Sequence, residues 1–439
     1  MAVLRPSNIP WIGDIPQEWR IIKLKYASQL KGRIGWQGLT TDEYRAEGPY
    51  LVTGTDFDNG VVNWERCQHV SEERYQLDIA IQIKEDDLLI TKDGTIGKVA
   101  VSKNCPEKVC LNSGVFIIRN TGDFKYNSRF MYYVLQSEEL QRWFSITDRG
   151  NSTIKHLTQE KFYNFSFAYP AIDEQQAIAS YLDDRCSKLD EIITEAEKSI
   201  EEYKELKQAV IFEAVTKGLD KNVPMKETGN IWLPMLPVNV PLSRLSLHYS
   251  IILGKMLCPN KRDEDDTLEP YYCAANVHFD GISGELKEMW FNTSEKENYA
   301  VHKNDMLIVE GGAGAGGAAI VLEEPEQPTF VQNSIMIVRS KDSEDNRYLC
   351  YLVQALVKNK YVEFVCNKAT IPHFTKEKLS GIPYPVWSKE NREKIADYLD
   401  ERITQMDALI SEKQSLIEDL KAYKKSLIYE IVTGKRRVV

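Results

Sequence analysis

The stretch EGGAGAGGAAIVL places Gly312, Gly314 and Gly317 in the spacing GxGxxG. In a dinucleotide site that spacing lets a helix N-terminus approach a pyrophosphate, so the chemistry requires a helix to follow. AAIVLEEP has the apolar, β-branched character of a strand, and the stretch therefore reads as a strand–loop–strand turn. A second turn, KDGTIGKVAV, carries Lys92, Thr95 and Lys98 beside Gly94 and Gly97. It has two readings: a structural hairpin, or a loop whose lysines and hydroxyl meet phosphates and base edges. His156 and His373 stand in matching segments, TIKHLT and TIPHFT. Each fits a hydrogen-bonded loop histidine or, with the adjoining Lys155 in the first, a contact to nucleic acid. Two more loops interleave basic, polar and aromatic residues: KGRIGWQG, with Lys31, Arg33, Trp36 and Gln37, and GKMLCPNKR, with Lys255, Lys261 and Arg262. Such a composition suits phosphate positioning and groove contacts.

Other chemistries lack their residues. There is no Walker A sequence for ATP-driven work, no Asn-Pro dipeptide for an amino-methyltransferase site, and no GxSxG elbow. The six histidines form no HExxH, and the eight cysteines form no CxxC pair, which fits a reducing cytoplasm and buried thiols. The apolar stretch from Met306 to Leu322 is broken by Glu310, and no membrane span is expected. The net charge of −10 argues on average against a polyanionic partner. Its distribution is uneven: residues 1–173 hold 21 basic and 22 acidic groups, whereas 174–217 hold 6 and 11. A basic face on the first segment is compatible with these numbers.

The elements that position these residues occur twice. Glu174–Thr216 aligns without a gap on Asn391–Thr433, with 17 of 43 positions identical. The similarity runs backward: Thr153, Ile154, His156 and Thr158 match Thr370, Ile371, His373 and Thr375, RFMYYVLQ at Arg129 matches RYLCYLVQ at Arg347, and EDDLLI at Glu85 matches KNDMLI at Lys303. The chain is thus a tandem repeat of a globular part followed by a helical part. Expected segments are 1–173, 174–220, 221–388 and 389–439. Each globular part has short β-like runs, such as DLLITK and GVFIIR or DMLIVE and SIMIVR, and one late helical stretch, at 127–144 and 345–365. That order indicates a mixed α+β class. The helical parts carry an a/d seam that includes Leu182, Leu189, Ile193 and Ile200 in the first copy, and Leu399, Met406, Ile410 and Ile417 in the second. These are the expected coiled-coil and partner-binding positions. Leu206, Ile211, Phe212, Leu409, Tyr423 and Ile428 lie off the seam and widen the apolar stripe. The helices either pack on their own domains or pair with one another and offer that excess to another chain.

The motifs EQQAIASYLDDRCSKLD and NREKIADYLDERITQMD, each after a globular part, resemble the specificity subunit of type I restriction-modification systems. IPQEW at Ile15, DGTIGK at Asp93, and YPAIDEQ at Tyr169, answered by YPVWSKEN at Tyr384, carry the same resemblance. It covers essentially the whole chain. It implies two target recognition domains in tandem, each followed by a long helix, the helices pairing as an antiparallel coiled coil with pseudo-two-fold symmetry. It further implies a non-catalytic, cytoplasmic DNA reader without a cofactor of its own. Each domain would read one half of a bipartite double-stranded target, and the coiled coil would dock two methyltransferase subunits that use S-adenosylmethionine. Restriction subunits using ATP and magnesium could join them. The second domain departs from the first, with RDEDD at Arg262–Asp266 and EGGAGAGG where the first has KDGTIGK. The rival readings are a single-chain nuclease or methyltransferase, and a coiled-coil scaffold that binds only proteins.

Overall fold

A computed structural model describes residues 3–33, 39, 41–121, 123–147, 156–366 and 372–438. Trp36, Gln37 and Lys155 lie outside them. The chain divides into two compact units that cut across the segments expected from the sequence: 1–197 with 415–439, and 198–414. Each unit therefore owns one globular reader and parts of both long helices.

Both readers use one strand plan. In the first, Val115–Arg119 lies between Gln29–Lys31 and Leu88–Thr91, and Val99–Val101 extends the sheet, every pairing antiparallel. In the second, Ile335–Ser340 lies between Tyr249–Leu253 and Met306–Val309, with Ala318–Ile320 next. Leu89 and Leu307 sit at equivalent points, opposite Ile117 and Ile337, and all four are fully buried. A smaller three-stranded sheet completes each reader: Val109–Leu111 runs parallel to Tyr50–Val52, and Phe330–Val331 parallel to Tyr271–Tyr272.

The repeated EDD and KND sequences have a structural cause. Asp86 and Asn304 take left-handed backbone (φ 64° and 68°), which turns the chain into the central strand. The aspartate that follows is buried and binds arginine with both carboxylate oxygens. Asp87 holds Arg119 at 2.7–3.2 Å and accepts from the Lys84 N–H; Asp305 holds Arg339 at 2.6 Å and accepts from the His302 N–H. A buried carboxylate satisfied by a guanidinium fork and a backbone amide fixes the strand entry in both readers.

The long helices run over Ile172–Lys217 and Lys389–Val432. The first starts ten residues before the expected seam because its opening turns also bury a face. Gln175, Ile178 and Ala179 are buried, and Gln175 accepts from the Asn127 N–H while donating to the Pro170 carbonyl. The expected single helices at 127–144 and 345–365 are each interrupted. Ser137 takes extended backbone between Ser128–Gln136 and Glu138–Thr147, and Lys360 takes left-handed backbone (φ 66°) between Arg347–Lys358 and Tyr361–Val365.

Within each unit the helices run antiparallel. In the first unit Lys424 meets Asp190 at 2.6 Å, and in the second Lys207 meets Asp407 at 2.7 Å. These two pairs are one interaction repeated, since Lys207 and Lys424 occupy equivalent seam positions and Asp190 and Asp407 equivalent positions beside the seam. The sequence expectation for the seam needs correcting in one respect. Leu182, Ile193, Ile200, Leu399, Met406 and Ile417 are buried with no other chain present, and Leu189 and Ile410 are half-buried. The seam is an internal contact. Of the apolar residues expected off the seam, Ile211 and Ile428 are buried and Phe212 is half-buried, whereas Leu206, Leu409 and Tyr423 are exposed, and with the equally exposed Ile192 and Leu416 these form the apolar surface open to a partner.

Candidate nucleic-acid interface

In each reader the structure gathers part of the expected site at the turn after the central strand. The first turn closes through the Gly97 N–H to the Thr91 carbonyl at 3.0 Å, and the Thr91 hydroxyl donates to the Thr95 carbonyl at 2.5 Å. Gly97 has φ 87°, a conformation only glycine adopts at little cost. Gly94, Thr95 and Lys98 are left exposed at the tip. The His156 segment then docks beside them: the Leu157 N–H donates to the Lys92 carbonyl at 2.9 Å, and His156 Nδ1 lies 2.7 Å from Asp93 Oδ1. The Lys92 ammonium sits 4.9 Å from the Phe116 ring centroid, so this side chain also packs on the sheet.

The second reader repeats the backbone and changes the chemistry. Gly316 N–H donates to Val309 O at 2.9 Å, and Phe374 N–H donates to Glu310 O at 2.6 Å, the counterparts of the Gly97 and Leu157 bonds. Gly316 has φ 85°, and a Cβ there would lie 2.8–2.9 Å from Val362 and Val357. The loop tip, Ala313–Gly314, is exposed, and Gly312 is half-buried with open space where a Cβ would be. His373 is exposed beside Gly311. No helix follows Gly317; a strand begins at Ala318, which removes the dinucleotide reading. Lys92, Thr95, Lys98 and His156 thus come together in one reader, and Gly312, Gly314 and His373 in the other. One tip presents ammonium and hydroxyl groups, whereas the other presents almost bare backbone.

Two expected DNA contacts are structural. Arg33 is 2% exposed, donates to the Leu111 carbonyl at 3.0 Å and lies 3.8 Å from Cys110 Sγ, and burial pushes its pKa down. Lys255, 6% exposed, donates to the Trp290 carbonyl at 2.6 Å and pairs with Glu295, whose carboxyl it holds below the usual range against the opposing effect of burial. Both cations tie a peripheral loop to the reader's smaller sheet, so neither is free to meet a phosphate. Lys31 is half-buried at the end of an edge strand. Lys261 and Arg262 are exposed, but they belong to the loop beside Trp290, where Lys261 lies 5.5 Å from the ring centroid, and not to the glycine turn.

A second repeated contact links each reader to a long helix. Arg129 Nε and the Tyr133 hydroxyl both donate to Asp183 at 2.6 Å, and Arg347 and the Tyr351 hydroxyl donate to Asp400 at 2.5 and 2.6 Å. These are residues the two copies share. Among the described residues no group of three or more His, Cys, Asp or Glu is placed to hold a metal ion, and no helix is long and apolar enough to cross a membrane.

The family model for the type I restriction modification DNA specificity domain matches residues 27–202 and again 259–419. The chain belongs to this family. Its two matched stretches each cover most of a reader and most of the helix that follows, so this specificity subunit carries the domain twice. It is 22% identical over 442 residues to the type I restriction enzyme MjaVIII specificity subunit of Methanocaldococcus jannaschii, covering 97% of this chain and 94% of that one. It is 27% identical over 254 residues to the EcoBI specificity subunit of Escherichia coli, over 54% of this chain and 50% of that one. Its fold matches the HsdS subunit from Thermoanaerobacter tengcongensis with a TM-score of 0.55 at 15% identity, over 96% and 98% of the two chains. A chain from a study of complex assembly and conformational transition in the type I R-M system matches with a TM-score of 0.73, also at 15% identity, over 96% and 99%.

Two features were not anticipated from the sequence. The hairpin Phe57–Val62 turns at Asn59 and Gly60, both with positive φ, and its tip and Lys98 line one surface trough of the first unit. The Asn-Gly dipeptide, between Phe57-Asp58 and Val61-Val62, was the available signal. Lys421 and Lys425 of the second long helix line the same trough.

Proposed function

We propose that this specificity subunit reads a bipartite double-stranded DNA target, each reader taking one half-site. The paired helices set the spacing and dock two methyltransferase subunits. The observation that carries the reading is the same turn-and-histidine scaffold in both readers, tipped with different chemistry. Two readers alike in frame and unlike at the tip suit an asymmetric target. In the first, Lys98, Thr95 and His156 are the contact groups, with Lys92 contributing from the end of the central strand. In the second, the Gly312–Gly314 tip admits close approach of a nucleic-acid backbone or groove, with His373 beside it. Lys31, Lys261 and Arg262 are secondary phosphate contacts.

The chain performs no catalysis in this reading. Methyl transfer belongs to partner subunits that hold S-adenosylmethionine, and ATP and magnesium belong to restriction subunits where present. Exposed Ile192, Leu206, Leu409, Leu416 and Tyr423 support methyltransferase docking along the outer faces of the helices. The acidic average charge supports weak DNA binding by the isolated chain.

The test replaces residues 1–170 with the corresponding domain of a relative and maps methylated sites by single-molecule sequencing of host DNA. One half-site should change and the other persist. A change in both halves refutes divided reading, and a complex that binds its partners yet methylates without sequence preference would favour a protein scaffold. Sizing of the assembled complex should give two methyltransferase subunits per chain.

A further inference from the structure

The first unit holds a trough of about 660 Å³ between its reader and its helix pair. Ile193 of the seam and the buried Ile428 form its floor, and the Asn59–Gly60 tip and Lys98 line it from the reader. Lys421, Lys424 and Lys425 enter from the second long helix. We infer that this trough is a further DNA-contact site, in which Lys421 and Lys425 hold backbone phosphates next to the first half-site. The inference rests on the DNA-reading function proposed above and extends it from the reader to the coiled coil.

Three observations support phosphate as the ligand. First, the cations are unequally neutralised. Lys424 is fixed by both oxygens of Asp190 at 2.6 Å and Lys421 lies 3.4 Å from Glu197, while Lys98 and Lys425 have no carboxylate partner among the described residues. Glu418 is the remaining carboxylate in the trough, so ammonium groups outnumber carboxylates by one in a chain whose net charge is −10. Second, Lys98 belongs both to this lining and to the proposed reading turn, so a duplex engaged by that turn lies within side-chain reach of the trough. Third, the trough offers little exposed apolar surface to a protein partner: Ile193, Ile428 and Val99 are buried, at 8%, 4% and 5% exposed, and Phe57 is half-buried. Lysines project as point charges that suit phosphate oxygens without reading sequence.

The second unit lacks the feature. The positions equivalent to Lys421, Lys424 and Lys425 are Lys204, held by Glu201 at 2.7 Å, Lys207, held by Asp407, and Gln208. The residue that matches Lys98 in the turn hydrogen bonding is Gly317. The site is therefore one-sided, although the repeat supplies the frame for two.

The experiment uses the full complex with its methyltransferase subunits and compares wild type, the double variant Lys421→Gln/Lys425→Gln, and Lys204→Gln as control. Affinity is measured against salt on target DNA, together with phosphate-ethylation interference. Each lost phosphate contact lowers the log–log salt slope by about 0.9. The double variant should lose about 1.8 in slope and roughly three- to tenfold in affinity per charge at physiological salt, with the methylated sequence unchanged. Interference should vanish only at phosphates bordering the first half-site. Lys204→Gln should match wild type. An unchanged slope and interference pattern in the double variant overturns the inference. Impaired methylation at unchanged DNA affinity also overturns it, because the trough would then be a protein-docking surface. A wild-type complex with no sequence-specific binding would refute the DNA-reading proposal itself, a result separate from either of these.

Discussion

Replacing Glu139 by Gln should stabilise the first unit at neutral pH and remove a pH dependence that the wild type carries. Glu139 opens the helix Glu138–Thr147, is 0% exposed, and has neither carboxylate oxygen hydrogen-bonded among the described residues. Burial pushes its pKa up to about 8 from an ordinary 4.5, with Lys435 pulling the other way. Between those two values the folded chain keeps a proton that the unfolded chain has released, so stability must fall as pH rises, by about 1.4 kcal/mol per unit at most. From pH 5 to pH 7 that amounts to roughly 2–3 kcal/mol, and the decline levels off above pH 8. The neutral amide of Gln carries no such slope. The two proteins should be nearly equal in stability at pH 5 and should diverge steadily towards pH 8. The assay is urea unfolding at unit pH steps, with hydrogen exchange over residues 128–147 assigning the transition to the first unit. A stability difference that does not vary with pH would refute the reasoning, because it would mean that Glu139 is ionised or solvated in the folded state.

Lys98→Ala should lower the salt slope of DNA binding by about 0.9 and weaken only the first half-site, whereas Lys92→Ala should also cost the unit about 0.5–1 kcal/mol because its ammonium packs on Phe116. An unchanged slope and methylation rate in both variants would leave that turn a structural hairpin. Asp183→Ala should destabilise the first unit and Asp400→Ala the second, each by about 1–2 kcal/mol, since the aspartate accepts from an arginine and a tyrosine at a half-exposed site; unit-resolved hydrogen exchange checks this. One heptad inserted after Ala196, matched by one after Lys413, leaves the Asp190–Lys424 and Lys207–Asp407 pairs in register and adds about 10 Å of helix. The spacer between half-sites should lengthen by about three base pairs at roughly 3.4 Å each, and an active variant that still methylates the original spacing would refute the ruler.

The long helices were legible because a 3.5-residue period survives any single polar exception. Lys207 and Lys424 could be placed on the seam from spacing alone. Why a lysine belongs there required the antiparallel register, which brings Asp407 and Asp190 opposite. The shared residues of the repeat were legible as a list of identities, and the structure gives them causes: Asp87 and Asp305 fix strand entry, while Asp183 and Asp400 fasten reader to helix. Arg33 and Lys255 were misread, since the composition of a basic loop does not reveal whether its cations face water. A signal existed in the glycine before each. A Cβ on Gly32 would lie 2.6 Å from Phe116, and one on Gly254 would lie 2.4 Å from the Gln332 carbonyl oxygen, so the chain is packed tightly where the cation turns inward. The trough was not legible at all, because Lys98 and Lys425 are separated by more than 300 residues and only the fold brings them together.

The repeat also explains how an acidic chain can serve a polyanionic target under the proposed function. Residues that hold the frame are duplicated and pair with one another inside each unit, so their charges cancel locally: Arg119 with Asp87, Arg339 with Asp305, Lys207 with Asp407, Lys424 with Asp190. What remains for a ligand is set by the few positions where the copies differ. At those positions the first unit has Lys92, Lys98 and Lys425, and the second has Glu310, Gly317 and Gln208. Electrostatic attraction at the reading turn is therefore concentrated in the first unit, and the second recognises its half-site through close approach and shape at the Gly312–Gly314 tip, with Lys261 and Arg262 as secondary phosphate contacts. Salt should accordingly weaken contacts to the first half-site more steeply than contacts to the second. Because both halves must be engaged together, the salt sensitivity of the whole complex would then be governed by the reader that holds the lysines.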